Sequence, residues 1–175
     1  VAKYAVEAGA NIINDVSGLS FDNNMTGTVE SLNVPIVIMH MKGNPQNMQL
    51  NPKYKDIVNE ILDFFKIKIK IAIQSGINRN MIILDPGIGF GKTVDHNFEL
   101  LSRLNEFNVL ELPIMIGPSR KSFIGITLDL PPEDRVEGTA AAVSAGVMNG
   151  ASIVRVHDVK SMKRVVKIIE KVRNV

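Results

Sequence analysis

Asn80-Met81-Ile82-Ile83-Leu84-Asp85, followed at once by Pro86-Gly87-Ile88-Gly89-Phe90-Gly91-Lys92-Thr93, is the stretch whose reading decides the fold. A short, continuous apolar run reads as a strand covered on both faces, as in a parallel sheet. The run stops on a carboxylate, and turn-forming residues follow directly. Four other segments repeat the design: Asn11–Val16, Pro35–His40, Pro113–Gly117 and Ser152–His157. Successive segments are separated by roughly 25 to 45 residues, room for one crossover helix in each unit.

The intervening helices have readable ends. One is expected from Pro52 to about Ser75, stopped by Gly76. Inside it, Lys66-Ile67-Lys68-Ile69-Lys70-Ile71 alternates like a strand. Ile57, Ile61, Phe64, Phe65 and Ala72 keep helical spacing around that run, so the segment is assigned to helix. Pro132, Glu133 and Asp134 read as the first turn of another helix, with proline and acids where the dipole favours them. The small residues Gly138-Thr139-Ala140-Ala141-Ala142 are expected to bring that helix close to the sheet. Lys160–Arg173 is amphipathic, with Met162, Val165, Val166, Ile168, Ile169 and Val172 on one face.

Repeated βα units define an α/β protein, either an open doubly wound sheet or a barrel. Each strand ends in chemically distinctive residues: Asn14-Asp15, Met39-His40, Asp85, Ser119-Arg120-Lys121 just past the fourth, and Arg155 with His157. An open sheet concentrates chemistry at one switch point, whereas a (β/α)₈ TIM barrel gathers all strand ends on one face. The pattern predicts the barrel. No linker divides the 175 residues, which read as a single domain. A complete barrel takes about 250 residues and rarely fewer than about 200. With five strands legible, this one is expected to be incomplete.

Composition narrows the function. The chain is 45% hydrophobic and 22% charged with a net charge of +2, an ordinary globular balance without a basic stripe for nucleic acid. It has no cysteine, which removes disulfides, Cys-ligated zinc and a thiol nucleophile, and fits a cytoplasmic protein. No apolar run approaches the ~20 residues of a membrane span. The opening Val1-Ala2-Lys3-Tyr4 lacks an initiator Met and reads as the interior of a longer protein.

The glycine-rich stretch fits neither common phosphate-binding fingerprint. Gly91-Lys92-Thr93 suggests a P-loop, but Pro86 stands where its first glycine belongs. In a dinucleotide loop the third glycine would be misplaced. What remains is a plain turn, or an aspartate held at a strand end by a rigid loop. Gly117-Pro118-Ser119-Arg120-Lys121-Ser122-Phe123-Ile124-Gly125 puts cations at a helix start, against the dipole. That is either a solvated basic turn or an anion site. Arg155 and His157 fall on the same side of a strand, where Arg155 needs an anion or a buried salt bridge to Asp158 or another acid. His40 and His96 do not make a metal site with His157. Met39 reads equally as core, and Asn14-Asp15 as a helix cap.

Five stretches together resemble the dihydropteroate synthase family: Ile12-Ile13-Asn14-Asp15-Val16-Ser17-Gly18, Met39-His40-Met41-Lys42-Gly43, Asp85 to Lys92, Ser119 to Gly125, and Arg155-Val156-His157-Asp158-Val159. The resemblance implies a (β/α)₈ barrel joining dihydropterin pyrophosphate to 4-aminobenzoate and releasing pyrophosphate with Mg²⁺, in a homodimer that sulfonamides inhibit. By resemblance, Asn14 and Asp85 bond the pterin ring, and Met39 and Gly117 line its slot. Lys121 reaches the pterin, Phe90 and Ser122 place the aminobenzoate, and Arg155 and His157 receive the pyrophosphate. Asp85, Lys121 and Arg155 would carry the chemistry.

Lys42 and Asn44 depart from the family pattern in a loop. Val1–Ala10 resembles the helix after the family's third strand. The first three strands, with the Asn that helps bind Mg²⁺, are therefore expected to lie outside this chain, and the isolated chain is expected to be inactive. Two alternatives use the same pocket: a pterin-binding methyltransferase barrel, and a non-catalytic pterin-binding homologue. The first has no need of the Ser119–Ser122 loop or the Arg155/His157 pair.

Overall fold

The computed structural model describes residues 1–173. Helix α1 (Ala2–Glu7) precedes five βα units: β1 (Ile13–Asp15) with α2 (Met25–Leu32), β2 (Ile36–Met39) with α3 (Ile57–Gln74), β3 (Ile82–Asp85) with α4 (Val94–Ser102), β4 (Met115–Ile116) with α5 (Ser122–Leu128) and α6 (Val136–Met148), and β5 (Ile153–Val154) with α7 (Val159–Arg173). All pairings are parallel and sequential. Asn14 lies opposite Val37, Val37 opposite Ile83, Met39 opposite Asp85, and Ile116 opposite Val154. A single bridge, Leu84 to Ile114, joins β3 to β4.

The two sheet faces differ in what covers them. On one, Ile36, Ile38, Ile82, Leu84, Ile114 and Ile116 pack against helix residues that include Ile61, Phe65, Leu100 and Phe107. On the other, Val37, Ile83 and Met115 form a small cluster with Ile153. Met39 and Asp85 share the parity of Val37 and Ile83, so they stand on this second, inner face. No helix among the described residues is long and apolar enough to cross a membrane.

The five strands fall where expected but are shorter: β1 and β3 keep Asp15 and Asp85 in the pairing, whereas β2, β4 and β5 stop before His40, Gly117 and Arg155. Other boundaries move for identifiable reasons. Helix α3 starts not at Pro52 but after Asp56, whose carboxylate accepts from the Val58 and Asn59 N–H groups at 3.1 and 3.2 Å. It closes as expected at Gly76 (φ +91°): the Gly76 and Ile77 N–H groups donate to the Ile73 and Ala72 carbonyls. The Lys66–Ile71 run is helical, with Ile67 left outside and Ala72 buried.

Pro132–Asp134 is a separate 3₁₀ turn, and α6 begins at Val136. Gly138 approaches α5, where a β-carbon would overlap Ile124. The close approach to the sheet comes instead at Gly146, against Ile116. Small size at two positions thus serves two different neighbours.

Candidate functional site

The C-terminal ends of the strands bring most of the expected residues onto the inner face. Asp85 closes β3 and is 5% exposed. Its Oδ1 accepts from the Gly87 N–H at 2.7 Å, and its backbone carbonyl accepts from the His40 N–H at 2.9 Å. Gly87 has φ +72°, and a β-carbon there would overlap the His40 carbonyl oxygen. The turn is therefore a rigid mount for the carboxylate. Burial pushes the Asp85 carboxyl up, against the Gly87 N–H and the charges of Lys121, Lys92 and Arg155, which favour the ionised form.

Lys121 precedes α5 and reaches back over the glycine-rich loop. Its Nζ lies 4.3 Å from the centre of the Phe90 ring and donates to the Ile88 carbonyl. Burial, with Arg155 adding to it, lowers this lysine to about 8, while Asp85 opposes the shift. Arg155, exposed on the inner face, places its guanidinium beside Gly117, with Nε 3.6 Å from the point a Gly117 β-carbon would occupy. Ser119 Oγ accepts from the His157 N–H at 3.2 Å and lies 2.9 Å from His157 Nδ1, which fixes the ring beside the loop.

Asn14 is exposed on the inner face, one residue pair below the Met39–Asp85 level. Met39 is buried beside Asp85. Ser122 opens α5, exposed and without a side-chain hydrogen bond among the described residues, so no contact ties it to the cluster.

Several blander readings are resolved. The expected acid partner of Arg155, Asp158, pairs instead with Arg120: Nε to Oδ2 at 3.1 Å and Nη2 to Oδ1 at 2.7 Å. Arg155 avoids the desolvation problem because its strand edge is open. Asp15 caps no helix; it organises the loop after β1 by accepting from the Ser17 and Leu19 N–H groups at 2.9 and 2.7 Å. His96 completes a capping box with Thr93 at the start of α4.

The sequence reading gave no role to Lys92, which is buried in the site, as is Ser119 of the anion-site loop. The only available signal was a charged residue inside a turn otherwise made of glycine and apolar residues. Among the described residues, no group of three or more His, Cys, Asp or Glu gathers into a metal site.

Asp85 is thus a buried carboxylate at a strand end of a parallel α/β scaffold, with Lys121, Lys92 and Arg155 among the charges acting on it. The sequence match supplies the class: the chain belongs to the pterin binding enzyme family, matched over residues 1–157. It is 44% identical over 171 residues to dihydropteroate synthase of Synechocystis, covering 97% of this chain and 59% of that protein. Folic acid synthesis protein fol1 of Schizosaccharomyces pombe is 48% identical over 181 residues, 100% of this chain and 25% of that one. A sulfonamide drug complex of Yersinia pestis dihydropteroate synthase superposes with a TM-score of 0.96 at 40% identity, over 98% of this chain and 62% of that chain. The fold is thus of TIM-barrel type, and the chain spans less than two thirds of these relatives.

Proposed function

We propose that these residues belong to a dihydropteroate synthase, which condenses 6-hydroxymethyl-7,8-dihydropterin pyrophosphate with 4-aminobenzoate to give 7,8-dihydropteroate and pyrophosphate. The observation that carries this reading is Asp85, buried at a strand end, with Lys121 and Arg155 among the charges facing it. A pterin presents an amino-pyrimidinone edge of adjacent donors, which a carboxylate accepts, and Asn14 supplies an amide on the same face.

In the reaction the bond between the pterin methylene and the pyrophosphate oxygen breaks, and the electron pair leaves with pyrophosphate. Arg155 and His157 stabilise that departing anion. Positive charge on the methylene is favoured by Asp85 and captured by the aminobenzoate nitrogen, which then releases a proton to solvent. Lys121 stays at the ring edge with Phe90, since a cation on the methylene would oppose ionisation. Ser122 awaits the aminobenzoate at the mouth. The family resemblance implies Mg²⁺, held with an Asn expected outside this chain, and no step is assigned to it.

We take residues 1–175 to be part of one barrel domain. Beyond β5 an open groove lined by Val154, Val156, Met162 and Val166 faces no strand among the described residues. An unpaired edge of this kind favours closure by further strands. The isolated chain is accordingly expected to be inactive. An apolar cleft of about 600 Å³ between α4, α5 and α6, lined by Phe98, Leu101, Phe123 and Leu128, supports the homodimer, with a second copy as occupant. A cytoplasmic location completes the reading.

The test is pyrophosphate release from the two substrates by the intact enzyme and its Asp85→Asn variant. Wild-type turnover that sulfonamides inhibit, with a loss of about 10²-fold or more in the variant, is expected for a pterin anchor. Near-normal turnover in folded Asp85→Asn would remove the role given to Asp85. Pterin binding without any pyrophosphate release would favour the non-catalytic alternative.

A further inference from the structure

The glycine-rich loop encloses a charge that the proposed chemistry does not use. Lys92 is 4% exposed. Its Nζ donates to the Phe90 carbonyl at 2.9 Å and lies 3.1 Å from His40 Nδ1. It also stands 3.4 Å from where a β-carbon on Gly87 would sit, on the residue whose N–H holds Asp85. None of the ion pairs among the described residues includes Lys92. A neutral amide could make similar hydrogen bonds without the desolvation cost of an ammonium. The charge itself therefore calls for an explanation.

Three cations act on the Asp85 carboxylate: Lys92 from the glycine-rich loop, Lys121 from the loop after β4, and Arg155 from the end of β5. Arg155 is exposed and Lys121 partly so, and both are available to bound substrate. Lys92 alone is sealed beneath the loop. His40, from β2, faces Lys92 as a buried neutral ring, because burial above all, and then Lys92 and Lys42, disfavour its protonation. Lys121, and then Lys42, also act on Lys92 as like charges.

We propose that Lys92 is a positioning residue whose sealed charge keeps the buried Asp85 carboxylate ionised, so that it can accept from the pterin whether or not the rest of the site is filled. The inference rests on the dihydropteroate synthase reading. Burial lowers Lys92 to about 7 while Asp85 opposes that shift, as expected of two groups that stabilise each other's charged forms.

Three variants of the intact protein separate charge from hydrogen bonding: Lys92→Gln, Lys92→Met and Lys92→Arg. The affinity for 6-hydroxymethyl-7,8-dihydropterin is measured by calorimetry from pH 5.5 to 9, with thermal melts to check folding. Lys92→Gln and Lys92→Met are expected to move the acid limb of the affinity profile up by about one pH unit, making binding about tenfold weaker on that limb and restoring it by pH 9. Lys92→Arg should follow the wild type. A Lys92→Gln profile that superposes on the wild type overturns the proposal, as does one weakened equally at every pH.

If neither neutral variant folds, carbon-13 NMR of wild-type protein labelled at the aspartate carboxyls reads Asp85 directly. The resonance absent from Asp85→Asn should be ionised at pH 7, and a protonated carboxyl there overturns the proposal. Wild-type protein that binds no pterin at any pH overturns the functional reading instead, while the Asp85 resonance, followed against pH in wild type and in whichever Lys92 variants fold, still tests the Lys92–Asp85 relation: an Asp85 titration unmoved by loss of the Lys92 charge overturns it.

Discussion

Arg120 and Asp158 are joined by two charge-assisted hydrogen bonds, 3.1 and 2.7 Å long, across 38 residues of chain. The pair fastens the loop after β4 to the start of α7. Ser119 and Lys121 flank Arg120, and His157 precedes Asp158, so the site's two basic segments are fixed relative to each other. Arg120 also donates its backbone N–H to Thr139 Oγ1 in α6 at 3.0 Å, which adds a third anchor. Asp158→Ala or Arg120→Ala is expected to weaken pyrophosphate binding roughly tenfold, through misplacement rather than lost contact. The double variant should be little worse than either single one; additive losses measured by calorimetry would argue against the coupling.

Gly87 is held by both its conformation and its neighbour. Gly87→Ala would place a methyl group on the His40 carbonyl at φ +72°. A left-handed penalty of ~1–2 kcal/mol adds to an overpacking cost of ~1–3 kcal/mol. Chemical denaturation should show the sum, and the variant should lose pterin affinity as the Asp85 mount shifts.

Phe65 is fully buried and packs edge-on against Phe107, 5.9 Å between ring centres, on the helix-covered face. Phe65→Ala is expected to destabilise by ~3–5 kcal/mol. Because it lies across the sheet from the site, pterin affinity per folded molecule should stay within about twofold of wild type.

His40 makes stability depend on pH with a definite sign. Its ring pKa is held far below the usual 6.5, chiefly by burial. Below about pH 6.5 the unfolded chain therefore binds a proton that the folded one refuses. Stability is therefore lost as the pH is lowered below that point, by at most ~1.4 kcal/mol per unit from this group. His40→Gln should flatten that acid slope in denaturation curves between pH 4 and 6.5. An unchanged slope would assign the acid sensitivity to other groups.

Much of the architecture was legible because it is local. All five strands could be read from continuous apolar runs, since a parallel strand buried on both faces needs no polar alternation. The Lys66–Ile71 ambiguity was settled by the spacing of Ile57, Ile61 and Phe65, which are buried in the helix as expected. Boundaries were less legible where two signals competed. Pro52 is a good helix starter, but the Asp56 carboxylate caps α3. Pro132 begins a 3₁₀ turn rather than α6.

By itself, the sequence determined the fold class, the order of the βα units, and which residues stand at strand ends, because periodicity and turn chemistry act over a few neighbouring residues. Only the tertiary structure decided how the charges divide. Arg120 is neutralised by Asp158, Arg155 is left open, Lys121 lies on Phe90, and Lys92 is sealed beside His40. Those outcomes depend on segments tens of residues apart meeting at set distances. Burial and Coulomb energy are properties of that meeting, and no local pattern encodes them.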